Sequence, residues 1–208
     1  VFLLAWGGME PNRARGAAAV GTLALSLAAI GYFAVGFAFH LGGAQSVTDD
    51  PTYAELDALY AVGENDEWGL IGLTGFFLTG YDENSDESAP LTPEGMALFA
   101  NYLPLVATAV LLVILSVHEQ ARGWQAAIGG LIIAAVLFPI VACWVWGGGW
   151  LSNLGSPGTL ERGHGFVDHA GSGVVSLLGG LASLGALLGL KKRLPPRKFD
   201  EPAEMPPA

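Results

Sequence analysis

The amino-acid sequence predicts an all-α, polytopic transmembrane helix bundle, and three observations support that fold class. Hydrophobic residues make up 52% of the 208 residues and charged residues only 13%, and the mean hydropathy is +0.48. Soluble domains carry about twice that share of charge. Several apolar runs are long enough to cross a bilayer core, which takes about 20 helical residues. The basic residues fall between these runs in a pattern that fits one membrane orientation.

The apolar runs define the elements in order. Residues 1–8 are too short to span, and we expect them to be the last turns of a helix that begins before the recorded sequence. A basic link leads into the runs that we predict to be complete membrane spans, whose bounds are 17–41, 95–117, 123–146 and 165–190. Pro139 is expected to kink the third of these spans. The proline-rich residues 191–208 are expected to form a polar tail.

Residues 44–94 form a long loop that holds twelve of the nineteen acidic residues. Within it, residues 68–81 read WGLIGLTGFFLTGY. This stretch is short for a span and its glycines disfavour a regular helix, so we predict a re-entrant or surface-packed segment.

The charges predict how the spans are oriented. Eight of the nine Lys and Arg residues fall on one side if the spans alternate, and Arg162 is the exception. Basic loops favour the cytoplasmic side. We therefore expect an integral protein of the plasma (inner) membrane, with the acidic loop 44–94 outside and the tail 191–208 in the cytoplasm.

The last predicted span carries both small and ionisable residues. Ser172, Ser176 and Gly180 recur every four residues, and Gly185 and Gly189 form a GxxxG pattern. Small residues let membrane helices approach closely, so this face is expected to pack against another helix. An acid and a histidine, at 168 and 169, lie near its start, and an ionisable residue inside a membrane helix is a functional-site hypothesis.

Several function classes have no support in the sequence. The net charge of −10 argues against nucleic-acid binding, and the single cysteine, Cys143, excludes an internal disulfide. Zinc-ligand spacing, a phosphate-binding loop and a nucleophile with its base are all missing. We therefore predict no catalytic residue, no metal site, no cofactor and no enzymatic activity.

Four stretches, taken in order, carry a family resemblance. They are WGGMEPNR at 6–13, WGLIGLTGFFL at 68–78, FPIVACWVWGGGWL at 138–151 and GFVDHAGSGVV at 165–175. These resemble the end of the first helix, an outer loop, the end of the fourth helix and the fifth-helix signature of the ammonium transporter/Rh family. The resemblance implies the N-terminal five-helix repeat of a trimeric, eleven-helix transporter built from two inverted halves.

The resemblance also assigns roles and exposes departures. Asp168 matches the family's aspartate and Trp146 its outer-site tryptophan. Ser176 stands where the family signature ends in a histidine, one of a pore-lining pair. The family's stacked phenylalanines align near Asn101 and Leu105, so that outer gate is expected to be missing.

Each candidate substrate-binding residue has a structural alternative. Asp168 would shape an outer cation site or, as we favour, accept hydrogen bonds from free N–H groups at a helix start. Trp146 would offer its π face to a cation or, as we favour, join an interfacial aromatic belt with Trp144 and Trp150. His169 would handle protons or lie at the interface, and Ser176 would bind a ligand or serve packing.

The other polar residues of the predicted turns are expected to be solvated. His40 and His164 are expected at the outer surface, and His118 and Glu119 in a cytoplasmic turn.

Two functions compete. The first is half of a channel or transporter for ammonia, ammonium or a similar small molecule, paired with a second chain that closes the pore. The alternative is a transport-inactive accessory subunit of a larger membrane complex. Both imply lipid contact, other membrane protein chains and an oligomer, and a receptor role for the outer loop ranks last.

Overall fold

The computed structural model describes residues 11–48, 50–63, 68–82, 87–118, 121–154 and 165–189. The expectations for 1–8, Glu119, His164 and 191–208 lie outside these residues. Within the described ranges, four helices are long and apolar enough to cross a membrane. We call them the first to fourth spans, and they are Arg15–Val47, Pro93–Val117, Gly123–Val145 and Ser172–Gly189. The prediction of an all-α transmembrane bundle is confirmed.

Three of these spans contain a π turn, which holds more residues than an α turn. The first span joins α1 (Pro11–Gly31), a π turn (Tyr32–Gly36) and α2 (Phe37–Leu41), followed by a 3₁₀ turn (Ala44–Val47). The second span is α3 (Pro93–Val117). The third joins α4 (Gly123–Ile132), a π turn (Ile133–Leu137) and α5 (Phe138–Val145). The fourth joins a π turn (Ser172–Leu177) and α6 (Leu178–Gly189).

Pro139 lies two residues after the end of the π turn of the third span, with Phe138 between them. Proline has no N–H to donate and its ring crowds the preceding turn of helix. The change from α to π hydrogen bonding before Pro139 therefore falls where the sequence predicts a kink.

The second span packs against the other three, and the first span also packs against the third. Small residues allow the first and third spans to approach closely. Ala24 is fully buried, and a Cβ added at Gly130 would lie 3.5 Å from its methyl group and 3.2 Å from Val110.

The segment between the first two spans forms two antiparallel hairpins. Strand β1 (Leu59–Val62) pairs with β2 (Trp68–Gly72), and β3 (Thr79–Asp82) pairs with β4 (Glu87–Pro90). Residues 68–81 therefore form a strand, a 3₁₀ turn (Phe76–Leu78) and the start of another strand. This stretch packs on the helix ends, because the indole N–H of Trp144 donates to the carbonyl oxygen of Leu70 at 3.0 Å.

The start of the last span differs from the sequence expectation. The sequence predicts a span over 165–190, but the helix begins at Ser172. The preceding residues, Ala170 (φ 55°) and Gly171 (φ 77°), have left-handed backbone conformations that an α-helix does not allow. The span is therefore 18 residues long, and residues 165–171 form an irregular entry to it.

The packing face of the fourth span also differs from the prediction. Ser172, Ser176 and Gly180 are exposed, and a Cβ at Gly185 or Gly189 would meet nothing within 4 Å. The second span instead contacts the adjacent face, which contains Gly179 and Ser183. A Cβ at Gly179 would lie 2.9 Å from the side chain of Leu112, and the Ser183 hydroxyl lies 3.3 Å from the Leu112 carbonyl oxygen.

Candidate functional site

Asp168 lies just before the fourth span and binds its first turn. Its Oδ1 accepts hydrogen bonds from the N–H of Gly173 at 2.8 Å and the hydroxyl of Ser172 at 2.9 Å, and its Oδ2 accepts from the N–H of Val174 at 2.9 Å. These N–H groups have no partner within their own helix, so the carboxylate satisfies them. The geometry is that of the structural role which the sequence analysis favours.

The same contacts set the charge of Asp168. Partial burial alone would raise the pKa of its carboxyl, but the N–H groups of Gly173 and Val174, the Ser172 hydroxyl and the nearby His169 together lower it below the ordinary value of 3.8. Hydrogen bonds to a carboxylate favour its ionised form. Asp168 is therefore a fixed negative charge at this end of the bundle near neutral pH.

Trp146 directly follows the third span and points into the bundle. Its ring lies 5.9 Å from the imidazole of His40 and 5.7 Å from the ring of Tyr102. Trp144 and Trp150 instead contact each other at 5.9 Å, and Trp150 contacts Trp68 at 5.3 Å. The structure therefore separates Trp146 from the two tryptophans with which the sequence analysis grouped it.

The entry to the fourth span lies beside Trp146. Gly171 takes its positive φ at this point, and a Cβ there would be 3.8 Å from the Trp146 ring. The entry segment that carries Asp168 is thereby held against the indole. Asp168 and Trp146 thus belong to one region of the molecule.

The side chains of His169 and Ser176 lie outside this region. His169 is exposed, and its described role is the electrostatic one on Asp168. Ser176 is exposed on the face of the fourth span that no described residue covers. The site therefore keeps two of the four residues that the sequence singled out.

His40 is the residue that sequence reasoning misplaced. It was expected at the outer surface, but it is fully buried. Its imidazole lies 4.7 Å from Tyr102, 5.9 Å from Trp146 and 6.1 Å from Phe138. His40 is thus part of an aromatic cluster that the sequence analysis did not find.

His118, also expected to be solvated, is half-buried, and its Nδ1 lies 2.8 Å from the carbonyl oxygen of Leu115.

The contribution of the second span comes from unexpected positions. Asn101 is exposed and Leu105 is half-buried. Phe99 and Tyr102 instead face the first span, with Phe99 stacked 5.5 Å from Tyr32 and Tyr102 packed on His40. Aromatic residues three apart on one helix face were the signal that was available in the sequence.

The glycines after Trp146 allow the cluster to close. The backbone of Gly147 touches the backbone of His40, so closely that a Cβ there would overlap the His40 carbonyl oxygen. Only a residue without a side chain permits this contact between the ends of the first and third spans. The GGG in the quoted motif at 138–151 therefore has a packing reason.

These features define an integral membrane protein with a buried aromatic cluster beside a fixed carboxylate at one end of its helix bundle. The family model of the Ammonium Transporter Family matches residues 11–207. The chain belongs to that family.

Individual ammonium transporters are similar to parts of this chain. Ammonium transporter Amt2 of Archaeoglobus fulgidus is 34% identical over 177 residues, which are 85% of this chain and 30% of that protein. Ammonium transporter Amt1 of Methanocaldococcus jannaschii is 41% identical over 88 residues, which are 42% of this chain and 20% of that protein. The chain thus spans less than a third of the length of these relatives. No solved structure matches the chain.

Proposed function

We propose that this chain supplies one half of an ammonium-transporter-like unit, which passes ammonia, ammonium or a similar small molecule and does no enzymatic chemistry. The observation that carries the proposal is the inward placement of Trp146 beside Tyr102 and next to the entry that bears Asp168. Aromatic faces attract small cations, and a nearby carboxylate raises their local concentration. The relatives named ammonium transporters support this class of substrate.

We propose that a complementary chain covers the fourth span and closes the pathway. The fourth span has the smallest share of buried residues of the four, 17% of its 18 residues. Small residues are exposed along its length, at Ser172, Ser176, Gly180, Gly185 and Gly189. In inverted-repeat transporters the pathway lies between two repeats, so a face of this kind fits contact with a second half.

The proposed location is the plasma (inner) membrane, with loop 44–94 outside and residues 191–208 in the cytoplasm. The charge pattern supports it, because eight of the nine basic residues flank the opposite ends of the spans from the acidic loop. In that orientation, the ends of the first and third spans and the entry to the fourth lie on the outer side. The aromatic cluster would then meet substrate arriving from outside the cell.

Native mass spectrometry after gentle detergent extraction tests the need for a partner. A second chain of five or six spans at fixed stoichiometry is expected. A symmetric assembly of this chain alone would argue for a homomeric pore, and a large assembly of unrelated subunits would argue for an accessory role.

Uptake of labelled methylammonium into vesicles tests the site. Trp146→Leu is expected to reduce uptake about tenfold, since a cation–π contact in a desolvated site is worth about 1–2 kcal/mol. Trp150→Leu is the matched control, because Trp150 contacts Trp68 and Trp144 away from the cluster. Equal uptake by both variants would refute the assigned role of Trp146.

The accessory-subunit function is the second candidate, and Ser176 favours it. The resemblance places a pore histidine at this position, yet the chain has an exposed serine there. An accessory subunit would remain in its complex at full stoichiometry when Trp146 is replaced, and no methylammonium uptake would depend on the chain.

A further inference from the structure

His40 is fully buried, and one of its two ring nitrogens makes no hydrogen bond to the described residues. Its Nδ1 shares a hydrogen bond of 2.9 Å with the hydroxyl of Tyr32. Its Nε2 is buried and has no hydrogen-bond partner among the described residues. An unpaired buried polar atom opposes folding, so a position that keeps one calls for an explanation.

The surroundings of His40 show which ligands fit. The rings of Tyr102, Phe138 and Trp146 lie within 6.1 Å of the imidazole, and they come from the second and third spans. The two imidazole nitrogens point in nearly opposite directions, so Nε2 faces away from Tyr32. A ligand at Nε2 would be small, would offer one hydrogen-bonding group and would gain from aromatic faces.

Tyr32 gives this imidazole two neutral states. If Nδ1 carries the proton and donates it to the Tyr32 oxygen, Nε2 has a free lone pair that accepts an N–H. If the Tyr32 hydroxyl donates to Nδ1, Nε2 carries the proton and donates to a lone pair. The same nitrogen therefore suits an ammonium ion in one tautomer and a neutral amine in the other.

We propose that Nε2 of His40 is a binding group for ammonium or ammonia, and that Tyr32 selects its tautomer. This proposal rests on the proposed function and adds to the site an imidazole, which neither Trp146 nor Asp168 supplies. It places an imidazole in the substrate site from the first span, in a chain whose fourth span has Ser176 where the family resemblance expects a histidine.

The test uses the chain labelled with ¹⁵N-histidine, purified with any accompanying membrane partner and reconstituted in nanodiscs. Imidazole ¹⁵N shifts identify the tautomer and respond to hydrogen bonding. Ammonium chloride is expected to shift the Nε2 resonance of His40 saturably, and potassium chloride is not. Tyr32→Phe is expected to change the ratio of tautomers, since Nδ1 loses its partner.

Methylammonium binding to the same samples supplies the second measurement. His40→Phe preserves an aromatic ring and removes the nitrogens, and it is expected to weaken binding about tenfold, the cost of one lost hydrogen bond to a charged ligand. His40→Gln keeps a hydrogen-bonding group and is expected to weaken binding less, so it reports on the site even if the phenylalanine variant does not fold. His118→Gln, in the turn at the other end of the second span, is the matched control.

The outcomes separate the two proposals. If the wild-type chain binds methylammonium and both His40 variants bind equally well, His40 has no binding role and the proposed function stands. If the wild-type chain binds none and no His40 resonance shifts, both the proposed function and the role of His40 are overturned. If ammonium chloride shifts the His40 resonance of the wild-type chain and the His40 variants bind methylammonium more weakly, both proposals are supported.

Discussion

Replacing Asp168 by alanine tests whether this carboxylate holds the start of the fourth span. The change removes the acceptor of two backbone N–H bonds, from Gly173 and Val174, and of one hydroxyl bond from the exposed Ser172. Loss of a helix N-cap costs about 1–2 kcal/mol, and the ionised acceptor with two N–H partners puts Asp168 at the upper end. We expect Asp168→Ala to lower the free energy of unfolding by about 2 kcal/mol, which is about 30-fold in the folding equilibrium.

Asp168→Asn gives a graded comparison. An asparagine oxygen in the place of Oδ1 would still accept the N–H of Gly173, but its NH₂ group would meet the N–H of Val174. We expect Asp168→Asn to lower the free energy of unfolding by about 1 kcal/mol, half of the loss expected for Asp168→Ala. Val167→Ala, at a side chain that is 68% exposed, is the control and should stay within about 0.5 kcal/mol of wild type.

The assay is unfolding of the chain in mixed micelles at rising SDS fraction, followed by circular dichroism. A loss below about 0.5 kcal/mol for Asp168→Ala would refute the capping argument, because ordinary surface substitutions cost that much. Methylammonium uptake measured beside it separates the roles: unchanged uptake per folded chain would leave Asp168 a purely structural residue.

Three further predictions concern charge and packing. Because the folded state lowers the pKa of Asp168, the carboxylate's contribution to stability is complete above the unfolded value of 3.8 and is lost as the pH falls through the lower folded pKa. The stability difference between wild type and Asp168→Asn should therefore shrink as the pH falls below 3.8 in the same unfolding assay. Gly179→Leu should destabilise the chain by about 2–3 kcal/mol through contact with Leu112, whereas Gly185→Leu should leave its unfolding unchanged and reduce recovery of the partner chain; equal recovery would place the partner elsewhere. Gly147→Ala should cost about 3 kcal/mol, because its Cβ would separate the first and third spans, and a thermal midpoint equal to wild type would contradict the contact.

Asp168 shows which part of the site the sequence could predict. A carboxylate just before an apolar helix has free N–H groups within reach, whatever the rest of the fold, so its capping role follows from local structure. The start of that helix was harder to place. Gly165 and Gly171 have positive φ values, yet a glycine in a membrane sequence is equally compatible with a helix, so the sequence did not fix where the irregular entry ends.

His40 and Trp146 show what local patterns could not predict. Each ends an apolar run, and such positions usually lie at the membrane interface. Their burial depends on a contact between the first and third spans, which Gly147 makes possible, and on Tyr102 from the second span. Hydropathy predicted the four spans that the described residues contain, though not the start of the fourth, and it does not record which faces of distant helices meet.

The π turns of the first and third spans lie against each other, at Tyr32–Gly36 and Ile133–Leu137. Each α-helical residue turns the chain by about 100°, so one residue removed from either turn would rotate everything beyond it by that angle. Removal from one alone would turn His40 and Trp146 away from each other. A matched removal from both would rotate each of these parallel helix ends about its own axis in the same sense, and this would carry His40 and Trp146 to opposite sides of their interface. The aromatic cluster therefore depends on both helices keeping their length at this level of the bundle.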